Sequence, residues 1–471
     1  MASRFERRRS IVGQQIGLLR QQFAQAKGLP FANLLESRIV ERAVEEECPH
    51  YRSRIFAPLI TLWTLLIQIL DEDQSCRKAV ARVQAYRAEK GLPECSANTA
   101  GYCQARKRLP ESLLVRLVRW TGRKLHDKTA AKWLWKGRNV KVVDGSTVSM
   151  PDTPANQKEY PQQRGQKKGL GFPIARIVTI FSLATGSALD LALSKFKGGK
   201  SEKAMFSELA VTNLERGDVL LGDRHFVGYC DVALWLRLGV DVVLRQHHRR
   251  KTDFRRGKRL GKDDHLVTWV KPKRCPPGID KATFDTIPPV LQLRECRFQI
   301  PQKGFRTKDI ILVTSITDAT EVTKEELAEL FRLRWHAELD LRSLKTEMKM
   351  DVLRCKTPDM VRKEIWAHLL VYNLIRGLIA QSAYENDLHP LQLSFAGARQ
   401  TLDAFAALLP HASRKKRLLF FERICRSIAR HAVGNRPDRY EPRAVKRRPK
   451  PYDWLMEPRP QARKKLERRR A

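Results

Sequence analysis

The sequence predicts an α/β protein, a mixed sheet flanked by helices and preceded by an all-helical region. Three observations carry that expectation. Residues 1–130 alternate apolar and charged residues at helical period, with breaks at Gly28-Leu29-Pro30, Cys48-Pro49 and Gly91-Leu92-Pro93. From Asn139 the texture changes to β-branched runs bounded by small-residue turns. Beyond Ser201 short helical segments alternate with such runs, as a helix-covered sheet requires.

In the front region, Cys76 to Leu109 pairs a basic helix with a second that opens after Ser96 and carries Gln104, Arg106, Lys107 and Arg108. A helix-turn-helix DNA reader and two packed bundle helices both read this way. The run Arg7-Arg8-Arg9 is another candidate DNA contact. Ile55 to Leu70 is the most apolar window, but it contains Pro58, Thr61, Thr64 and Gln68 and falls short of the ~20 residues of a membrane span. It reads as a buried helix, and so does Ile365 to Ala380, which His368, Asn373 and Arg376 interrupt.

The sheet region, residues 131–247, opens with the strand around Asp144, followed by Gly145 and Ser146. Residues 175–196 read as two strands joined at Thr185-Gly186, a hairpin. A helix from Ser201 to Leu214 follows, then a buried strand ending at Asp223, a helix from Asp231 to Leu238, and the strand 240–246. Residues 248–315 form a β-rich insertion with strands near 265–271, 290–300 and 309–316. Residues 316–385 are the helical end of this domain and carry Glu338. The remainder, 386–471, is helical and basic, and its runs Ala444 to Lys450 and Arg463 to Lys465 are expected to act as phosphate-binding arms.

Charge narrows the partner class. Ninety Lys and Arg against 51 Asp and Glu leave a net charge of +39, which calls for a polyanion. Nucleic acid leads, with RNA packaging and an anionic membrane surface sharing the same signature. Nine cysteines without a Cys-x2-Cys pair support neither a disulfide framework nor a zinc knuckle, and a reducing cytoplasm is the expected compartment. The basic N-terminus is not followed by an apolar core, which argues against a secretory signal. The absence of a glycine-rich phosphate loop argues against ATP-driven chemistry.

The segment Phe331 to Lys345 places Arg334, Glu338 and Lys345 at spacings of four and seven, on one helix face. Alone, that pattern is also an ion-paired surface stripe. Asp144 and Asp223 each close a strand, where an aspartate is as readily a turn cap. Together, two strand-end acids and a helical Glu beyond an insertion match the layout that holds two metal ions around a phosphodiester. His225, Asp152 and Asp190 lack such a pattern; Asp340 faces away from the Arg334 and Lys345 stripe, and Trp335 is expected to pack its helix onto the sheet.

The spacing Phe331-x2-Arg334-x3-Glu338-x6-Lys345 is similar to the Tyr-x2-Arg-x3-Glu-x6-Lys signature of bacterial insertion-sequence transposases of the IS-four type. Those enzymes use a DDE triad on a ribonuclease-H-like fold. Residues 142–152 resemble their first acidic motif and residues 220–226 the second, with 78 residues between the two aspartates and 114 between Asp223 and Glu338. The resemblance covers about Asn139 to Ala380 and implies Asp144, Asp223 and Glu338 as catalytic metal ligands for two Mg2+ ions, with Mn2+ able to substitute. It implies Arg334 and Lys345 as DNA-phosphate contacts, while Phe331 lacks the hydroxyl of the family's Tyr. It further implies double-stranded DNA as partner, as terminal inverted repeats and target, with a homodimer on DNA and no membrane. Family members cut one strand, join the freed 3′-hydroxyl to a second phosphodiester, and often pass through hairpin ends with a flipped base. Trp269 is the candidate base-stacking ring, with cross-strand packing as its alternative. A transposase-derived DNA-binding protein without catalysis, and a ribonuclease-H-like nuclease without strand transfer, are the competing readings.

Overall fold

The β-branched runs assemble into one sheet. A computed structural model describes residues 14–18, 20–21, 23, 34–51, 54–299, 309–409, 412–433 and 453–470; the basic runs at Arg7 to Arg9 and Ala444 to Lys450 lie outside them. The strands are β1 (Val140–Ser149), β2 (Ile174–Ser182), β3 (Ala188–Lys195), β4 (Val219–Gly222), β5 (Asp241–Arg245), β6 (Lys258–Gly261), β7 (Asp264–Val270), β8 (Val290–Gln299) and β9 (Asp309–Thr314). Their order is β3-β2-β1-β4-β5-β9-β8-β7-β6. The first three run antiparallel, β1, β4 and β5 are mutually parallel, and the strands of the β-rich segment continue the same sheet antiparallel beyond β5. The mixed sheet with flanking helices expected of a ribonuclease-H-like domain is therefore present.

Helices cover both faces. The front region supplies α1 (Ser37–Glu47), α2 (Pro58–Leu70), α3 (Cys76–Glu89), α4 (Ala100–Arg108) and α5 (Glu111–Asp127). Later come α6 (Pro154–Glu159), α7 (Glu202–Asn213), α8 (Tyr229–Arg237), α9 (Lys281–Asp285), α10 (Lys324–Leu333), α11 (Trp335–Arg342), α12 (Pro358–Glu385), α13 (Phe395–Ala406), α14 (Arg414–Arg430) and α15 (Arg459–Arg470), which carries Arg463 to Lys465. Strand alternation divides the core. Val140, Val142, Val219 and Leu221 join the cluster built with α2, α5 and α12, whereas Val143, Leu220, Val242 and Leu244 join the one built with α7 and α8. Both apolar windows, α2 and α12, are buried, and among the described residues no helix is long and apolar enough to cross a membrane.

The front helices share the sheet's core rather than standing apart. A Cβ on Gly122 of α5 would lie 2.2 Å from the Ala188 carbonyl oxygen, so only glycine permits this approach of helix to strand. The connection from α3 to α4 spans residues 90–99, longer than the three or four residues of a helix-turn-helix. The packed-helix alternative describes this pair.

Burial keeps two histidines neutral. The Nδ1 of His126 meets the Ser182 hydroxyl at 3.0 Å, and His368 lies fully enclosed in α12. Burial pushes each imidazole down from its ordinary 6.5 to about 3. The unfolded chain takes up both protons near pH 6.5 and the folded chain only near pH 3, so stability is complete above pH 6.5 and falls with acidification. Each histidine contributes a slope of about 1.4 kcal/mol per pH unit across that window. Denaturant titrations between pH 6.5 and 4.5 should show this loss, and His368→Leu should flatten it by one histidine's share.

Candidate active site

Register brings the two aspartates level. Val140, Lys141 and Val142 pair with Val219, Leu220 and Leu221, so two further residues along both strands set Asp144 beside Asp223. Asp223 begins a turn in which Phe226 N donates to its carbonyl at 3.0 Å. Asp144 is not at a strand end, contrary to expectation, because β1 continues to Ser149 along β2, pairing Asp144 with Thr179. Only the pairing with β4 stops there. The effect is the one a strand terminus would have, an open position at the carboxyl ends of parallel strands. It lies where chain order reverses between β1 and β4, the usual place for a crevice in such sheets.

Alternation sets which face the carboxylates share. Asp144 follows Val142 by two and Asp223 follows Leu221 by two, which puts both on the face of the α5 and α12 core. Helix α11 covers that face, with Ala337 and Leu341 packed inward and contacts to β1. It follows α10, which opens on a capping box between Thr323 and Glu326. Arg334 sits at the junction of the two helices in helical conformation. Its Nη2 donates to Glu338 Oε1 at 2.7 Å, the contact the four-residue spacing predicts.

After α11 the chain winds through a π turn, Ser343–Glu347, which carries Lys345. Such turns re-aim side chains relative to an α-helix. Lys345 Nζ reaches across to Ser146 Oγ at 3.1 Å, on β1 two residues beyond Asp144 and on its face. Arg245, level with Asp223 on β5, places Nη1 3.9 Å from Asp223 Oδ1. Ser146 and Arg245 were missed by sequence reasoning; strand alternation from Asp144 would have found the first, and the second depends on strand order.

The electrostatics reflect a cluster of carboxylates. Burial pushes the Asp144 carboxyl up to about 6, Gly145 N (2.9 Å from Oδ1) and Arg334 pull it down, and the charges of Glu338 and Asp223 raise it further. Asp223 Oδ1 is buried without a hydrogen bond. A buried, unbonded carboxylate oxygen beside two other acids suits a cation. Among the described residues no three His, Cys, Asp or Glu side chains are arranged to hold one metal ion together, and Glu338 is engaged with Arg334.

Other expectations fare differently. Trp269 is 2% exposed, its Nε1 donates to Glu295 Oε1 at 2.9 Å, and the Arg250 guanidinium covers its ring at 3.8 Å. No ring face is left for a base, so the packing alternative replaces the stacking one. Trp335 is 53% exposed instead of packing on the sheet, because Ala337 and Leu341 take the inward face and leave Trp335 on the Glu338 side. Phe331 is buried against Phe298 of β8, with ring centroids 6.5 Å apart. Asp190 is paired with Arg119 at 3.0 Å, Asp152 accepts from Gln157 at 2.8 Å, and Asp340 is buried against Arg376.

Residues 135–374 match the family described as transposase DDE domain. Transposase InsG for insertion sequence element IS4 of Escherichia coli K12 is 26% identical over 359 residues, 74% of this chain and 76% of that protein. Putative transposase InsL for insertion sequence element IS186A of the same strain is 37% identical over 73 residues, 16% of this chain and 20% of that protein. The solved synaptic complex of piggyBac transposase with hairpin DNA is similar at a TM-score of 0.42 and 9% identity, over 87% of this chain and 85% of that one.

Proposed function

Because the chain belongs to the transposase DDE domain family, we propose that it binds the terminal inverted repeats of an insertion sequence and catalyses their cleavage and transfer into target DNA. The observation that carries this reading is the meeting of Asp144 and Asp223 at the β1 and β4 edge beneath the helix bearing Glu338.

Asp144, Asp223 and Glu338 are the residues that would hold divalent metal, two Mg2+ ions or Mn2+ in their place. Bound there, such ions supply Lewis-acid activation of water and of the 3′-hydroxyl, and offset charge on the phosphodiester. The chain's own groups do the rest. Arg334 holds Glu338 at 2.7 Å. Lys345, anchored on Ser146, presents a cation at the same edge for a DNA phosphate. Trp335 offers an exposed ring on the Glu338 side of α11 for a base freed from the stack. In the first step water adds to phosphorus and a strand leaves as a 3′-hydroxyl. In the second that hydroxyl displaces at another phosphodiester, forming one P–O bond and breaking one. Pairing two ends calls for a homodimer on DNA, and the DNA substrate places the protein at the bacterial nucleoid in the cytoplasm.

The test is strand cleavage and joining on DNA carrying the element's ends, with Mg2+ or Mn2+, for wild type and for Asp144→Ala, Asp223→Ala and Glu338→Ala. Nicks and joined products are expected from wild type alone. Unchanged cleavage by the Glu338 variant would overturn the assignment, and nicks without joined products would indicate a nuclease. Lys345→Ala should weaken end binding and lower the slope of log affinity against log salt by about 1, as loss of one phosphate contact does.

A further inference from the structure

Two thiols meet at the first turns of α3 and α4. Cys76 opens α3 and Cys103 lies one turn into α4, and their sulfurs are 4.0 Å apart. Both are partly exposed and both line a cavity of about 550 Å³ between the front helices and the segment around Cys355. A third group completes the cluster. Arg106 Nη2 stands 3.4 Å from Cys76 Sγ and 3.9 Å from Cys103 Sγ, and Gln68 Nε2 lies 3.7 Å from Cys76 Sγ.

Among the described residues Arg106 takes part in no ion pair within 4.0 Å. Its nearest polar neighbours are sulfur and the Gln68 amide oxygen, at 3.4 Å, which also accepts from Tyr102 at 2.7 Å. A guanidinium facing two sulfurs favours the thiolate form on which thiol oxidation depends. Burial raises Cys76 above its ordinary value and Arg106 pulls it back, so the thiol is the resting form and the thiolate is reached by proton loss into the cavity.

We propose that Cys76 and Cys103 form a reversible oxidation site, closed to a disulfide by peroxide and reopened by small dithiols. The proposal is independent of the transposase reading. The Cys76 thiolate attacks one peroxide oxygen, the O–O bond breaks, and protonation releases water, leaving a sulfenic acid. The Cys103 sulfur then attacks Cys76 sulfur, the S–O bond breaks and a second water departs. Two thiols and one hydrogen peroxide thus give one disulfide and two waters. The sulfurs must close from 4.0 Å to ~2.05 Å to form the bond. The bond ties α3 to α4, fixing the relative position of the two basic helices. Cys48, Cys95, Cys230, Cys296, Cys355 and Cys425 are buried, and Cys275 is exposed far along the chain in the β-rich segment. The pair is therefore distinguished by proximity together with access.

The experiment treats the full-length chain with hydrogen peroxide, blocks remaining thiols by alkylation and maps peptides by mass spectrometry. The expected result is a Cys76–Cys103 linked peptide, two hydrogens lighter than its thiol form and restored by dithiothreitol. In Cys103→Ser, which removes the nearest resolving thiol, Cys76 should instead be trapped as a sulfenic acid by dimedone. Full alkylation of both cysteines after peroxide, at a dose that oxidises exposed Cys275, would overturn the proposal. So would a Cys76–Cys355 link in place of Cys76–Cys103.

Discussion

Replacing any one of Asp144, Asp223 or Glu338 with alanine is expected to lower strand cleavage by at least about 10³-fold, more than loss of one preorganised donor typically costs. Replacing two or all three should lower it little further. The reason lies in how the groups act together. Each acid occupies the same half-buried edge, and the Asp144 carboxyl, pushed up to about 6 by burial, is raised further by the charges of the other two. On the reading proposed above, a divalent cation would offset the three negative groups, so removing one should disable the set. Binding of Mn2+, followed by calorimetry on the free protein, separates this from misfolding. Each variant should bind the ion more weakly, and the two aspartate variants should keep or exceed the wild-type denaturation midpoint, since one source of mutual repulsion is gone, whereas Glu338→Ala also loses the ion pair with Arg334. Wild-type Mn2+ affinity in all three variants would remove these residues from the metal site.

Much of that site is legible in the sequence because it depends on local periods. Spacing of four and seven residues sets Arg334, Glu338 and Lys345 by helix geometry, and the ion pair at 2.7 Å between the first two follows directly. Lys345 then departs from the simple pattern, since the π turn at Ser343–Glu347 cannot be read from composition. The strand-end placement of Asp223 was legible from Gly222 and the turn that follows, whereas the full length of β1 was not. Its second half is held by a long antiparallel pairing with β2, a non-local fact. Trp269 and Trp335 exchange their expected situations for the same reason. Alternation allows Trp269 either face of β7, and only the partner strand's Glu295 and the loop's Arg250 determine that it is enclosed. The joining of the β-rich segment to the sheet edge through β5 and β9 was likewise beyond a reading that sees each strand singly.

Phe331 shows how the two levels meet. The signature suggests a missing hydroxyl, yet the ring sits 6% exposed between the helix and Phe298 of β8. Burying such a ring contributes roughly 1.5–3 kcal/mol. Its place in the chain therefore ties the β-rich segment to the helix that carries Glu338, and the Arg334 guanidinium lies over the ring at 5.7 Å from its centroid.

The opposite side of that helix should show the largest stability effect in the protein. Asp340, two residues after Glu338, is 3% exposed and pairs with Arg376 of α12, itself 5% exposed. Arg376 Nε donates to the Tyr372 hydroxyl at 2.9 Å, and that hydroxyl donates to the Gly186 carbonyl at 2.6 Å. Gly186 turns the β2–β3 hairpin at φ +67°, and a Cβ there would stand 2.8 Å from the Arg376 guanidinium carbon. One chain of contacts thus joins the active-site helix, the long core helix and the hairpin. Asp340→Ala leaves a buried guanidinium without its counter-charge and should cost about 3–5 kcal/mol in denaturant unfolding. Asp340→Leu combined with Arg376→Met removes both charges and should cost less than Asp340→Ala alone, because no ion is left uncompensated. Had the pair been only a surface contact, Asp340→Ala would cost under about 1 kcal/mol, and that result would reject the network as a support for α11. Cleavage should fall in Asp340→Ala even at temperatures where the chain stays folded, since Glu338 then rides on a helix no longer anchored from behind.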